Sequence, residues 1–353
     1  MAVIQGSNFE LSSQVTHKKP EFHGTIAPYP NFNPRKDVIF LEEAINSRNV
    51  DEDTIISVLV QRSNEQRQEI KRAFEADTGK SLADELKSEL RSHLEDVVLA
   101  LLMKPAQYDA FIIRKATKGF GTNEDVIVEV LASRTNQQIR ELQEAFKEEY
   151  GQTMEEVIDS ETDGDFALAL HAMLKANKNE GHIVDLALAK KDARVCHLMS
   201  DIMVCFVFVL QELFEAGEEH KDIDISVFID ILTTRSGPQL TQTFKHYSKI
   251  SDVNLPKALD MELRGDIEDC LIDIVKCSWS KPAFFAERLH KAMEGHGTCE
   301  DTLMRVLVAR SEVDLKKIIS EFELMYGKTL QQCILDDTKG HLEKILLGLC
   351  GPN

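Results

Sequence analysis

Two glycine-rich stretches in this chain have a spacing that suits cation binding. "KGFGTNED" (118–125) and "EGHGTCED" (294–301) each hold two glycines two residues apart. Glycine tolerates positive φ, so such a turn can direct its carbonyl oxygens toward one point. Proteins bind Ca²⁺ with carbonyl, carboxylate and water oxygens. Each stretch therefore predicts a cation site that still needs an acid.

An acid follows each such stretch at a fixed distance. The second glycine of the two stretches is residue 121 or 297, and the matching positions in two further copies of the same pattern are 49 and 222. The residues forty further on are Glu89, Glu161, Glu262 and Asp337. Spacing alone leaves two interpretations open. The acid either folds back onto the loop as a metal ligand, or it only caps or pairs within a helix.

The elements that must position these residues are short helices in four copies. The chain aligns with itself at the arginines Arg62, Arg134, Arg235 and Arg310. Apolar residues at three- and four-residue intervals follow each loop, which indicates one buried helical face, and no alternating strand pattern occurs. We expect an all-α fold of four repeats of about 72 residues, with roughly 28 additional residues at the second junction.

The residues after each glycine pair predict a helix start. Thr122 is followed three residues later by Asp125, and Thr298 by Asp301. This spacing is typical of a capping box, in which side-chain oxygens accept from the free amides of a first helical turn. The sequence therefore predicts capping boxes with these threonines at the N-cap.

The composition excludes several partners. With 60 acidic and 41 basic side chains the net charge is −19, which argues against nucleic acid and against anionic lipid without a bridging cation. Seven unclustered cysteines predict no disulfide framework. The first residues lack a signal-peptide pattern, and the longest apolar run, "IMVCFVFVL" (202–210), is too short to span a bilayer. We expect a soluble protein of a reducing compartment.

Taken together, these motifs resemble the annexin family. The resemblance rests on K-G-x-G-T-[ND]-E, on the L-x-x-R-[ST] helix, on the distant acid, and on "HGTIAPYPNF" and "LGLCG" at the two ends. It implies four five-helix repeats in a curved disc without enzymatic activity. It also implies calcium as the cofactor, bridging convex-face loops to anionic phospholipid headgroups, chiefly phosphatidylserine.

The resemblance divides the chain into six parts. They are an N-terminal tail 1–36, repeat 1 at 37–108, repeat 2 at 109–177, an extended linker 178–212, repeat 3 at 213–284 and repeat 4 at 285–353. An extended linker at this junction is also a feature of annexins from parasitic flatworms, so the resemblance includes that type.

The calcium ligands that the resemblance implies are clearest in repeats 2 and 4. Repeat 2 would use the carbonyls of Thr117, Gly119 and Gly121 with the Glu161 carboxylate. Repeat 4 would use those of Met293, Gly295 and Gly297 with Asp337. Minor sites map to Thr122 with Glu124 and to Thr298 with Glu300.

Repeats 1 and 3 depart from the family pattern and are weaker candidates. Repeat 1 would use Ile45, Ser47 and Asn49 with Glu89, although neither glycine is present. Repeat 3 would use Gly217, His220, Asp222 and Glu262, with Asp222 in a glycine position.

Two further features follow from the resemblance. A polar core matches Asp109, Glu129, Arg134 and Arg305, and we expect it to serve structure rather than ion conduction. The loop tips Lys118, Phe120 and His296 either contact lipid or remain solvated.

An apolar insertion at about 194–209 carries Cys196 and Cys205. It either packs as one more internal helix or forms a surface for a homodimer or protein partner. The alternative function is therefore a scaffold that acts through the tail or this insertion. We expect a cytoplasmic protein that moves to the plasma membrane when calcium rises, with surface exposure or release without a signal peptide as the alternative.

Overall fold

The computed structural model describes residues 21–119, 121–198, 225–295 and 297–351, and within these ranges the chain is helical with no strand. The prediction of an all-α fold built from four repeats is confirmed.

The helices follow the predicted repeats. The first group is α1 (Pro34–Ile45), α2 (Glu52–Leu59), α3 (Asn64–Thr78), α4 (Leu82–Glu89) and α5 (Ser92–Leu102). The second is α6 (Pro105–Ala116), α7 (Glu124–Ser133), α8 (Asn136–Tyr150), α9 (Met154–Glu161) and α10 (Gly164–Leu174). The third is α11 (186–198, up to the end of a described range), α12 (Ser226–Thr234), α13 (Gly237–Tyr247), α14 (Leu255–Glu262) and α15 (Asp266–Trp279). The fourth is α16 (Lys281–Ala292), α17 (Glu300–Arg310), α18 (Leu315–Tyr326), α19 (Leu330–Asp337) and α20 (Gly340–Cys350).

Local sequence sets both ends of the long third helix in a repeat. Capping boxes start α3 and α8, formed by Ser63 with Gln66 and by Thr135 with Gln138. Glycines with φ of 72°, 69° and 67° end α3, α8 and α18, namely Gly79, Gly151 and Gly327. Because glycine adopts this left-handed conformation without steric cost, each helix stops there.

The repeated arginines join the first two helices of a repeat. Arg62 contacts Asp37 at 2.6 and 2.9 Å, and Arg134 contacts Asp109 twice at 2.7 Å. In the fourth repeat, Arg310 instead contacts Asp314 at 2.7 and 2.8 Å, and its guanidinium lies 4.8 Å from the ring of Phe285.

In the third repeat the paired acid and arginine are further apart in the sequence than in repeats 1 and 2. Arg235 contacts Asp192 of α11 at 2.8 Å, so α11 occupies the place that α1 and α6 take in their repeats. Asp192 precedes Arg235 by 43 residues, whereas Asp37 precedes Arg62 by 25. Eighteen of the additional residues therefore lie between the acid and the arginine. This stretch includes residues 199–224, which fall outside the described ranges.

The apolar core divides into two clusters. One joins the helices of repeats 2 and 3, and the other joins those of repeats 1 and 4. The third helix of each repeat has a buried aromatic side chain at the same repeat position: Phe74, Phe146, Tyr247 and Phe322. The molecule is thus held as two pairs of repeats.

Residues 23–25, near the N-terminus, are hydrogen-bonded to repeat 4 near the other end of the chain. The amide of Thr25 donates to the Ser311 carbonyl at 2.6 Å, and the amide of Lys316 donates to His23 at 3.0 Å. A Cβ on Gly24 would lie 2.8 Å from the Ser311 carbonyl oxygen, so only glycine allows this approach. Ser311 follows the C-terminal end of α17, so the segment crosses the face opposite the glycine loops. Within the described ranges no helix is long and apolar enough to cross a membrane.

Candidate metal centre

The loop between α6 and α7 has three carbonyl oxygens that accept no hydrogen bond from the described residues. The amide of Asn123 donates to the Ala116 carbonyl at 2.8 Å and closes the loop. Gly119 and Gly121 adopt φ of 131° and 94°, a conformation that disfavours any side chain. No donor among the described residues reaches the carbonyl oxygens of 117, 119 or 121. The loop therefore offers unsatisfied oxygens of the kind that a hard cation binds.

The distant acid of repeat 2 returns to this loop. Glu161 is the last residue of α9, and its Oε2 accepts from the hydroxyl of Thr122 at 3.3 Å. The carboxylate thus lies beside the glycine turn. Of the two interpretations that spacing left open, this geometry favours the ligand.

Repeat 4 has the same arrangement between α16 and α17. The amide of Cys299 donates to the Ala292 carbonyl at 2.8 Å, and Gly295 and Gly297 have φ of 99° and 110°. The hydroxyl of Thr298 donates to Oδ2 of Asp337 at 3.0 Å. No donor among the described residues reaches the carbonyls of 293, 295 or 297.

The capping boxes predicted at these loops are wrong. The N-cap of α7 is Asn123, whose side chain accepts from the Val126 amide at 3.2 Å. The N-cap of α17 is Cys299, which makes no side-chain cap. Thr122 and Thr298 lie one residue earlier, and their hydroxyls donate to the carboxylates of Glu161 and Asp337.

The minor sites sit at the starts of the same helices. Glu124 and Glu300 are the first residues of α7 and α17, two residues after the threonine whose carbonyl would pair with each. They stay predictions.

The loop of repeat 1 is closed in the same way but shaped differently. The amide of Asp51 donates to Ala44 at 3.0 Å, yet no residue from 45 to 49 has positive φ. The hydroxyl of Ser47 donates to the carbonyl oxygens of Ala44, at 3.0 Å, and of Asn49. One of the three predicted carbonyl ligands is therefore already hydrogen-bonded, and Ile45 is buried.

Several predicted site residues lie outside the described part of the chain. They are Gly217, His220 and Asp222 of repeat 3, the side chain of Glu262, and the loop tips Phe120 and His296. Most of the 194–209 insertion does so too, with only its first residues in α11. Lys118 is exposed on its loop.

The donor set of repeats 2 and 4 fits calcium better than a transition metal. No group of three or more His, Cys, Asp or Glu side chains among the described residues could hold a metal ion. A site built from carbonyls needs only one carboxylate, with water supplying the remaining oxygens. Hard oxygen ligands of this kind favour calcium over zinc or copper.

The four predicted polar-core residues form two separate ion pairs. Arg134 and Asp109 lie within repeat 2. Arg305 of repeat 4 donates to both oxygens of Glu129 of repeat 2, at 2.9 and 2.8 Å. Burial alone would lower the pKa of the Arg305 guanidinium, but the Glu129 carboxylate raises it. The second pair thus joins the two halves of the molecule.

Sequence reasoning missed a third ion-pair group in this region. Arg288 of α16 contacts Asp273 of α15 and lies 3.6 Å from Asp125 of α7. Burial raises the pKa of Asp273 to about 6. No repeat signal could have found this group, because the equivalent positions in repeats 1 and 2 are Ala100 and Ile112.

Comparison with known proteins identifies the family to which this chain belongs. A family model described as Annexin matches residues 36–101, 108–173, 211–274 and 284–349. The chain belongs to the annexin family. This annexin is 47% identical to annexin A1 of Homo sapiens over 350 residues, which cover 99% of the chain and 96% of the relative. It is 48% identical to annexin A1 of Bos taurus, with 99% and 96% covered.

Solved structures agree with the fold. Annexin III superposes with a TM-score of 0.84 at 40% identity, covering 94% of this annexin and 98% of that chain. A structure described as calcium-bound annexin (Sm)1 superposes with a TM-score of 0.80 at 25% identity, covering 94% and 93%. The third family match begins at residue 211, inside the segment that the structure does not describe.

Proposed function

We propose that this annexin binds Ca²⁺ through the loops of repeats 2 and 4, and that the bound ions attach it to anionic phospholipid membranes. The observation that carries the proposal is the return of Glu161 and Asp337 to the glycine loops. Each loop then offers, beside one carboxylate, three carbonyls to which no described residue donates. Annexins are known for calcium-dependent phospholipid binding, and they are generally non-enzymatic.

Charge explains why the cation is needed. A protein with a net charge of −19 is repelled by a membrane rich in phosphatidylserine, whose surface potential is also negative. Calcium held in the loops places positive charge between the two. Because calcium takes six to eight oxygens, lipid phosphate oxygens can complete a coordination shell that the loop fills only in part.

The repeats contribute unequally in this proposal. Repeats 2 and 4 carry the working sites, since each has two positive-φ glycines and an acid beside the loop. Repeat 1 contributes weakly at most, because Ser47 occupies the carbonyl of Asn49. Repeat 3 rests on residues outside the described ranges.

The experiment that tests the metal sites is calorimetric calcium titration of the full chain without lipid. We expect Glu161→Gln and Asp337→Asn each to weaken one site by about tenfold or more, since a carboxylate supplies charge and up to two oxygens. Glu89→Gln is the matched control, because it removes the acid at the same position of repeat 1. We expect it to leave the strong sites unchanged.

Two outcomes would contradict this assignment. Calcium binding that survives in the double variant Glu161→Gln/Asp337→Asn would place the sites elsewhere. A loss in Glu89→Gln as large as in either main variant would show that the repeat 1 loop binds as well as the glycine loops.

A further inference from the structure

Two interfaces in this annexin occupy equivalent places but are built differently. Repeats 1 and 3 align at Arg62 and Arg235, and repeats 2 and 4 align at Arg134 and Arg310. The interface between α5 and α6, covered by α17, is therefore equivalent to the one between α15 and α16, covered by α7. We call these the first seam and the second seam.

Ion pairs close the second seam. Arg288 contacts Asp273 across it, and Lys276 contacts Glu287 at 2.8 Å. Asp125 of the covering helix lies 3.6 Å from Arg288. These contacts join α15 to α16 and α16 to α7, and Lys276 and Glu287 also line a separate cavity on the side of α13.

The first seam has short or apolar side chains at the same positions. Ala100 and Ile112 stand where the second seam has Asp273 and Arg288, and Met103 and Phe111 stand where it has Lys276 and Glu287. A cavity of about 380 Å³ remains between the helices, lined by all four of these side chains. Phe111 is 42% exposed at this cavity.

Charged side chains of both signs surround the opening of this cavity. Asn123 and Cys299, the N-caps that follow the two glycine loops, line it, so it opens on the loop face. Lys87 and Lys115 line it together with Asp96 and Asp301. Lys115 contacts Asp301 at 2.7 Å, while no ion pair joins Lys87 to any described residue.

The cavity wall is mostly apolar but includes the buried Arg305, whose charge is paired with Glu129, and exposed charged groups lie at the mouth. This arrangement suits an amphiphile. Cavities of this size and lining bind ligands that bury their apolar part and hold a polar end at the rim. Two lysines can bind a phosphate, and two aspartates can bind an amine or a quaternary ammonium. A rim that carries both therefore complements a headgroup that carries both.

We propose that the first seam is a binding site for one molecule of a single-chain zwitterionic phospholipid. The acyl chain lies among Ala100, Phe111 and Ile112, and the phosphate lies at Lys87 and Lys115. This site uses no residue of the glycine loops as a ligand and needs no calcium. It is therefore separate from the calcium-dependent attachment proposed above.

The test is calorimetric titration with 1-lauroyl lysophosphatidylcholine below its critical micelle concentration, in excess chelator. We expect one binding site in the wild type. The double variant Ala100→Asp/Ile112→Arg copies the ion pair of the second seam into the first, and we expect it to weaken binding by about tenfold or more by filling the cavity. Lys87→Gln changes an exposed residue, and we expect binding to weaken by about threefold.

Matched measurements keep the result interpretable. Calcium-dependent sedimentation with phosphatidylserine vesicles should be unchanged in both variants, which would show that they fold. Lauric acid, which lacks the zwitterionic headgroup, should bind more weakly than the phospholipid. The proposal is overturned by any of three results: no binding to the wild type in chelator, equal binding to the double variant, or equal binding of lauric acid.

Discussion

At the residue scale, the threonine after each glycine pair links two distant parts of a repeat. Thr122 and Glu161 are 39 residues apart in sequence, yet their side chains are hydrogen-bonded, and Thr298 and Asp337 repeat the contact. From the sequence we predicted the acids at a fixed offset from the glycines, but we predicted the threonines as helix N-caps. The sequence could not distinguish the two roles, because a hydroxyl can accept from a helix amide or donate to a carboxylate.

Ser92 keeps, in repeat 1, a positive-φ backbone conformation that glycine adopts in the other three repeats. It has φ of 59°, and the equivalent residues are Gly164, Gly265 and Gly340, with φ of 58°, 77° and 69°. A side chain in this conformation costs roughly 1 kcal/mol. We therefore expect Ser92→Gly to raise the free energy of unfolding by about 1 kcal/mol, measured by urea denaturation.

The reciprocal change provides the control. A Cβ at Gly164 would meet no atom within 4 Å, so Gly164→Ser tests the backbone alone. It should lower the free energy of unfolding by about 1 kcal/mol. If both substitutions changed stability in the same direction, backbone strain at this turn would not be the cause.

At the scale of helices, the sequence predicted the elements better than their contacts. The three- and four-residue periodicity depends on burial of one face, and that burial recurs in every repeat, so the helices were predictable. Pairs such as Asp273 with Arg288 join different repeats and do not recur. Nothing in the spacing of one repeat determines them, which is why the second seam could be found only in the structure.

The buried carboxyl of this seam predicts a pH dependence of stability. Burial raises the pKa of Asp273 to about 6, above its ordinary value of 3.8. Between pH 4 and 6 the folded state therefore keeps a proton that the unfolded state has released, so the contribution of Asp273 to stability falls as pH rises through this window.

Asp273→Asn removes this titration. The free energy of unfolding of the wild type, minus that of Asp273→Asn, should fall by roughly 2 to 3 kcal/mol between pH 4 and pH 7. Urea denaturation of both proteins at several pH values measures the difference. A difference that stays constant or rises with pH would show that Arg288 compensates fully for the burial of the carboxylate.

At the scale of the whole molecule, four similar repeats have diverged in their loops. Repeats 2 and 4 keep the glycines, whereas repeat 1 has Ser47 and Asn49 and the third repeat carries additional residues between Asp192 and Arg235. The repeat count followed from self-alignment of the chain. The position of α11 as the first helix of the third repeat could not be predicted in this way. It depends on which acid pairs with Arg235, and the sequence offers several candidates.

The two strong loops lie in different halves of the core, one with repeat 3 and one with repeat 1. The Arg305–Glu129 pair holds these halves together across the middle of the molecule. Asn123 and Cys299, the N-caps that follow the two loops, line one cavity, so the loops lie on the same side of the molecule. If both attach to membranes as proposed, we expect two linked contacts to bind far more tightly than one.

Sedimentation with phosphatidylserine vesicles across a calcium titration tests the central claim most directly. It compares the wild type with Glu161→Gln, Asp337→Asn and the double variant. We predict that binding requires calcium, that each single variant needs more calcium than the wild type, and that the double variant does not bind over the same range. Binding of the double variant at the wild-type calcium concentration, or binding of the wild type in excess chelator, would contradict the account.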